Sequence, residues 1–228
     1  LVRIQFVNGT HAITCALFGA LKPGEKLLYV VAAPYDTIQS AIGITGNAPG
    51  SLRSYGNDYG QVELTVDGKP DLPAIAKAVQ EAQVKAVVIQ RSRGYATRAS
   101  LSVAEIGAIC DAIHEVRQDV SILVDNCYGE FVETVEPTEV GADLVMGSLI
   151  KNPGGGLAPM GGYLAGRHDL IEAAAMRLTV PGIGKECVAT LWNNRSLYQG
   201  LFLSPHLTAQ EVKTALFSAR MMELLGYH

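Results

Sequence analysis

Long apolar runs, sequence-wide basic character and paired cysteines are all missing from this chain, and each absence excludes a class. No stretch approaches the roughly 18 apolar residues of a membrane span, and no basic stretch followed by an apolar core and cleavage site opens the chain. A net charge of -4 and a sequence pI near 5.7 leave no basic stripe for nucleic acid or an anionic membrane surface. The four cysteines, Cys15, Cys110, Cys127 and Cys187, lie far apart with no CxxC and no histidine at ligand spacing, which argues against zinc ribbons, redox pairs and a disulfide framework. Reduced thiols and a cytoplasmic location are the expectation, with a small molecule as the partner. No dinucleotide fingerprint occurs, and Gly182-Ile183-Gly184-Lys185-Glu186 is no phosphate loop, because Glu186 stands where a magnesium-binding Ser or Thr belongs.

What is present is an alternation of short apolar runs and helical stripes over 228 residues, 48% of them hydrophobic. Residues 2–7 read as a strand leading through Asn8-Gly9-Thr10-His11 into a helical stripe at Ala12, Ile13, Ala16, Leu17 and Ala20. Strands are predicted over 27–33, 61–66, 85–90, 121–124, 142–146 and 161–165, with a Gly/Asn/Ser-rich loop over 45–60. Helices are predicted over 71–83, 102–117 and 169–178, with Ser102 and Glu105 forming a capping box, and over 185–201 and 208–225, separated by a break at Pro205. That rhythm predicts an α/β fold, a mostly parallel sheet flanked by helices, whose ligand site lies at the carboxyl ends of the strands. The start at Leu1 and the stop at His228 predict truncation at both ends, with one large domain over 1–204 and the beginning of a second, or an interdomain helix, over 205–228.

The proposed site residues fall at those strand ends. Asp125 closes the apolar run Ile122-Leu123-Val124, where it needs a cationic or donor partner to stay ionised; its bland alternative is a turn former. Lys151 follows the run Leu144-Val145-Met146-Gly147-Ser148, and the mouth of a buried strand is expected to depress an amine's pKa. A strand-end acid and a strand-end lysine together suit pyridoxal phosphate, whose aldehyde needs an amine for a Schiff base and whose pyridine nitrogen needs a carboxylate to keep its proton. Glycines 154–156 would let backbone approach closely, and Ser148 could bond the cofactor phosphate.

The start of the first helix, at Gly9, Thr10 and His11, offers N–H groups to a phosphate, although an ordinary strand-to-helix turn reads the same way. Tyr35 at the end of the second strand could stack on a cofactor ring or simply cover the core edge, and Asp36 could cap the next helix. Arg91 and Arg93 end another strand, where either could hold a substrate carboxylate or form an ion pair at the surface or a subunit interface. Glu130, Glu133 and Glu136 read as a solvated loop, and no metal site is expected.

These residues resemble the Cys/Met-metabolism branch of fold-type-I pyridoxal-phosphate enzymes: Val124-Asp125-Asn126, then Pro137, Gly141-Ala142-Asp143, Ser148 to Lys151, and Gly161-Gly162. More closely, the strings NGTHAI, PYDT, QRSRGY, VDNCYGEF, GSLIKNPGGG, APMGGY, RLTVPGIGKE and QGLFLSPH resemble the methionine gamma-lyase-like group often labelled aluminium-resistance proteins. The resemblance implies that Lys151 holds pyridoxal 5'-phosphate as a Schiff base and that Asp125 pairs with the pyridine nitrogen. It also implies that Gly9 and Thr10 with Ser148 bind phosphate, and that Tyr35 stacks on the ring. It further implies a homodimer or homotetramer with sites at subunit interfaces, and a carbon–sulfur lyase acting on a sulfur-containing amino acid. Members of the group continue into a small C-terminal domain that helps bind the substrate carboxylate, a region largely absent here. Two departures stand out: Ile150 replaces the threonine usual before the lysine in transsulfuration enzymes, and Asn152-Pro153-Gly154 replaces their usual continuation. An aminotransferase, a decarboxylase or a catalytically idle cofactor-binding stress protein would use the same lysine and acid.

Overall fold

The computed structural model describes residues 1–46 and 48–227, so residue 47 of the expected loop and His228 lie outside the described residues. Seven strands form one sheet in the order β1-β7-β6-β5-β4-β2-β3. They are β1 (Val2–Phe6), β2 (Lys26–Val30), β3 (Asp58–Val62), β4 (Val84–Gln90), β5 (Ser121–Asp125), β6 (Leu144–Ser148) and β7 (Gly162–Gly166). Pairing is parallel from β6 through β5, β4 and β2 to β3, while β7 runs antiparallel to both β1 and β6. The sheet is mostly parallel as expected, and the carboxyl ends of β1, β2, β4, β5 and β6 share one edge.

The helices α1 (Gly9–Ala20), α2 (Asp36–Ile42), α3 (Leu72–Ala78), α4 (Val103–His114), α5 (His168–Ala175) and α6 (Asn194–Leu224) complete the fold. Two apolar clusters cover the two faces. One gathers Ile13, Ala16 and Leu17 of α1 with Ile171 and Ala174 of α5 over Leu123, Met146 and Leu164. The other gathers Ile75 of α3 and Ile106, Ile109 and Ile113 of α4 over Val87, Ile122 and Val124. Successive strand residues point to opposite faces, so the near-continuous apolar runs of β4 and β5 mark strands buried on both sides.

Local chemistry explains the helix starts. Asn8 caps α1 by accepting from the His11 amide at 2.8 Å, which begins the helix three residues before the apolar stripe does. Ser102 and Glu105 make the expected capping box on α4. At α2, Tyr35 takes the cap position without a side-chain bond, and Asp36 accepts instead from the Thr37 amide.

Elsewhere tertiary contacts override pattern. Strand β2 stops at Val30, because Val31 and Ala32 turn to positive φ of 70° and 95°. Strand β3 begins at Asp58, inside the expected loop, because residues 58–62 pair in register with Lys26–Val30. The expected break at Pro205 is absent: α6 runs through it. Proline removes one donor and frees the Leu201 carbonyl, which lies on an exposed stretch, while Ser204 anchors the turn by donating to Gly200 O at 2.7 Å and Pro153 O at 2.8 Å. Among the described residues no helix is long and apolar enough to cross a membrane.

Because Ser102 satisfies the Glu105 amide and receives Glu105 in return, Ser102→Ala should lower the stability of the full-length protein by about 1 kcal/mol. Urea denaturation, with an unchanged slope, measures it.

Candidate active site

The shared edge collects the candidate residues because parallel strands end together. Asp125, at the last position of β5, is buried, with Oδ1 accepting from the Cys127 amide at 3.1 Å. Burial pushes its carboxyl above the ordinary aspartate value, against the Cys127 hydrogen bonds and the positive charge of Lys151, which pull it down. Lys151 caps the short 3-10 turn Asn152–Gly154 just beyond β6, and its Nζ stands 4.1 Å from the centre of the Tyr128 ring.

The expected depression of the Lys151 pKa is corrected by the structure. Half-burial draws the amine down, but the acidic groups around it, Cys127, Tyr128 and Asp125, outweigh that and hold it above the ordinary lysine value. Burial pushes the Cys127 thiol well up, so near neutral pH the charge that Lys151 meets is that of Asp125.

On the α1 side, the Thr10 hydroxyl and the Tyr35 phenol lie 3.1 Å apart, and Tyr35 feels the charge of Asp125. The Tyr35 amide donates to Gln90 Oε1 at 3.1 Å, fixing the turn after β2 to the end of β4. Gly9 opens α1 directly against Ser148: a Cβ at Gly9 would stand 2.9 Å from Ser148 Cβ, so only glycine lets the helix start approach the end of β6 this closely. Ser148 is buried, and no acidic residue occupies the first turn of α1 to oppose an anion there.

His11 stands apart from this group. Its Nδ1 accepts from the Val7 amide at 3.1 Å, its ring packs edge-on against Phe6, and it lines a cavity of about 160 Å³ with Leu178 and Cys187. Burial lowers its pKa.

Arg91 is corrected as a substrate-carboxylate candidate, because its guanidinium is buried and four of its five N–H donors are taken within the chain. It donates to Leu101 O at 3.3 Å, Asn126 Oδ1 at 2.8 Å, Gly129 O at 3.0 Å and Glu133 Oε1 at 2.7 Å. Arg93 lies exposed in the following loop. The reading of Glu130, Glu133 and Glu136 as a solvated loop holds for the exposed Glu133 and the half-buried Glu136 and fails for Glu130. Glu133 and Glu136 answer Arg91, while Glu130 is 5% exposed and accepts from the Tyr163 hydroxyl at 2.7 Å. The partners lie up to 42 residues away, beyond any local pattern, and the one clue was that these acids follow directly on a buried strand.

Tested against this donor set, pyridoxal phosphate fits. A primary amine, a carboxylate buried next to it, and a helix N-terminus abutting a serine match an aldehyde, a cationic ring N–H and a phosphate dianion. The fold is that of the large domain of fold-type-I pyridoxal-phosphate-dependent proteins. The model of the methionine gamma-lyase family matches residues 1–228, and the chain belongs to that family.

A Clostridium novyi structure described as a carbon-sulfur lyase involved in aluminum resistance is 53% identical, with a TM-score of 0.94, over 100% of this chain and 54% of that one. Bacillus subtilis YnbB is 50% identical over 228 residues, 100% of this chain and 54% of its own length. The Escherichia coli pyridoxal-5'-phosphate dependent protein YhfS, at 22% identity and a TM-score of 0.68 over 99% of this chain and 54% of that one, shares the fold. The chain thus spans about half the length of the relatives it matches.

Removing Arg91 would leave buried acceptors unanswered, so Arg91→Ala should destabilise the full-length protein by about 3 kcal/mol. Arg93→Ala should stay within about 0.5 kcal/mol of wild type. Denaturant titration of the pair checks the assignment, and equal stabilities would return Arg91 to the list of free cations.

Proposed function

We propose that the protein binds pyridoxal 5'-phosphate at Lys151 and, in its full-length form, acts as a lyase that cleaves a carbon–sulfur bond of a sulfur-containing amino acid. The observation that carries the reading is the convergence of Lys151, the buried Asp125 and the Gly9–Ser148 contact on one sheet edge. The family membership and the description of the Clostridium novyi relative as a carbon-sulfur lyase support the carbon–sulfur chemistry. When bound, the cofactor supplies an electron sink for charge developing at the substrate α-carbon.

The chain's own groups divide the remaining work. Lys151 Nζ, once deprotonated, anchors the cofactor and then serves as the base that takes the α-proton. Asp125, shielded from water, presents a carboxylate that holds a proton on a ring nitrogen, a partner that adds to Cys127 and Lys151 in offsetting the cost of burying that charge. Gly9 and Thr10 at the helix start, with Ser148, hold the phosphate, and the Tyr35 ring covers the site beside Thr10.

A homo-oligomer and a reducing, cytoplasmic setting belong to the same proposal. The first is supported by exposed Tyr128, Phe131, Val132 and Ile150 around the site, and the second by four unpaired cysteines.

Borohydride reduction of the full-length protein loaded with pyridoxal phosphate, followed by peptide mass spectrometry, should place a phosphopyridoxyl group on Lys151 and none in Lys151→Ala. An adduct elsewhere would sink the site. Sulfur amino acids should then release a keto acid, ammonia and a thiol, with the rate at least about a hundredfold lower in Lys151→Ala. Amino transfer to an added keto acid would point to a transaminase instead. Because Lys151 sits above the ordinary lysine value, cofactor attachment should quicken as pH rises toward that value and frees the amine.

A further inference from the structure

Behind the Lys151 turn, on the sheet face away from α1, lies an acid that the reaction above does not use. Tyr163 of β7 belongs to the apolar cluster opposite α1, and its hydroxyl donates to Glu130 Oε1 at 2.7 Å. The second oxygen, Oε2, is buried and has no hydrogen-bond partner among the described residues. The pair lies flat on β6 at Gly147, where a Cβ would stand 2.7 Å from Glu130 Oε1 and 2.6 Å from Tyr163 Cε1. Glu130 also reaches the far side of the turn, its backbone carbonyl accepting from Asn152 Nδ2 at 2.9 Å. It therefore touches the residue preceding Ser148 and holds the residue following Lys151.

The groups facing this carboxyl are acids. Asp125 from the end of β5, Glu136 from the turn before β6, and the Cys127 thiol all bear on it, as does Tyr163 from β7. The nearby cations are committed elsewhere: Arg91 to Glu133 and Glu136, and Lys151 to the face of Tyr128. A buried carboxyl with no cation and one unanswered oxygen is cheaper neutral than ionised. Burial first, then Asp125 and Glu136, push Glu130 up to about 7, against the pull of the Tyr163 hydrogen bond.

We propose that Glu130 is a positioning residue for Lys151 and Asp125: protonated, it braces the Gly147–Asn152 turn together with Tyr163, and when it ionises it sets a second negative charge beside Asp125 and weakens the hold on the cofactor. The inference rests on the cofactor reading. The sign follows from linkage. A carboxyl bound more tightly to its proton in the folded chain than in the unfolded one adds stability that is complete below the unfolded value and is lost as pH rises to about 7. Like charge also makes Asp125 easier to protonate, so its pairing with a ring cation weakens over the same range.

The test uses the full-length protein as wild type, Glu130→Gln and Tyr163→Phe, from about pH 5 to about pH 8. Two quantities are measured: the denaturant midpoint without cofactor and the Kd for pyridoxal phosphate. Wild type should lose stability and bind the cofactor several-fold more weakly as pH rises. Glu130→Gln, which keeps the shape and the neutral state, should retain the low-pH affinity and show neither step. Tyr163→Phe, lacking the bond that favours the ionised form, should move both steps to higher pH, which keeps the test open if Glu130→Gln does not fold. Identical pH profiles in wild type and Glu130→Gln, or an unmoved midpoint in Tyr163→Phe, would overturn the proposal. Failure of wild type to take the cofactor at Lys151 overturns the cofactor reading, and the cofactor-free stability profile still reports whether Glu130 is the group that titrates.

Discussion

A buried guanidinium organises the edge of the sheet where Asp125 and Lys151 lie. Arg91 leaves the end of β4 and enters a region with almost no water, where an unanswered charge would cost several kcal/mol. Its acceptors come from three parts of the chain: Leu101 before α4, Asn126 and Gly129 after β5, and Glu133 beyond them. Glu133 in turn accepts from the Val103 amide in the first turn of α4, and Asn126 donates to Glu136. One charge thereby fixes the strand end carrying Asp125 relative to the next strand and the helix that covers it. An ionised donor with several good acceptors is the kind of contact that imposes geometry as well as energy.

On that frame, Asp125 and Lys151 influence each other through the low-dielectric edge. Burial raises Asp125, and the nearby ammonium of Lys151 moderates the rise; Lys151 in turn is held protonated by its acidic surroundings. The helix start at Gly9 contributes the opposite end of the arrangement, a set of amide donors brought against Ser148 by the absence of a side chain. An acid, an amine and a helix N-terminus separated by a strand or two follow directly from placing parallel strand ends in a row.

The parts legible in the sequence are those fixed by local physics. The buried runs of β4 and β5, the capping box at Ser102 and the sheet's mostly parallel character follow from composition and spacing a few residues wide. The positions of Asp125 and Lys151 were legible because one ends such a run and the other lies in the turn just beyond one. What escaped depends on distant partners: β3 starts at Asp58 because β2 lies alongside, α6 passes Pro205 because Ser204 is tied to Pro153, and Glu130 meets Tyr163 across 33 residues. Arg91 shows the same limit from the other side. A strand-end arginine looks identical in sequence whether it faces a substrate or is sealed by its own chain.

The segment after Asp125 also carries strain that local preference would have avoided. Tyr128 and Phe131 adopt φ of 69° and 61°, a region in which bulky residues are rarely found and which costs about 1 to 3 kcal/mol at each. Such conformations persist only where surrounding contacts leave no alternative. Here Gly129 is pinned by Arg91, the Phe131 amide donates to Glu136 Oε1 at 3.0 Å, and Glu130 is held by both Tyr163 and Asn152. These contacts hold the turn with its left-handed residues in place. Their joint result is to lay the Tyr128 ring over Lys151 while turning the next acid, Glu130, beneath the same lysine's turn. Val31 and Ala32 after β2 carry the same kind of strain, so two of the turns that follow parallel strands on this edge hold non-glycine residues in the left-handed region, and in both the conformation persists because neighbouring contacts fix the turn.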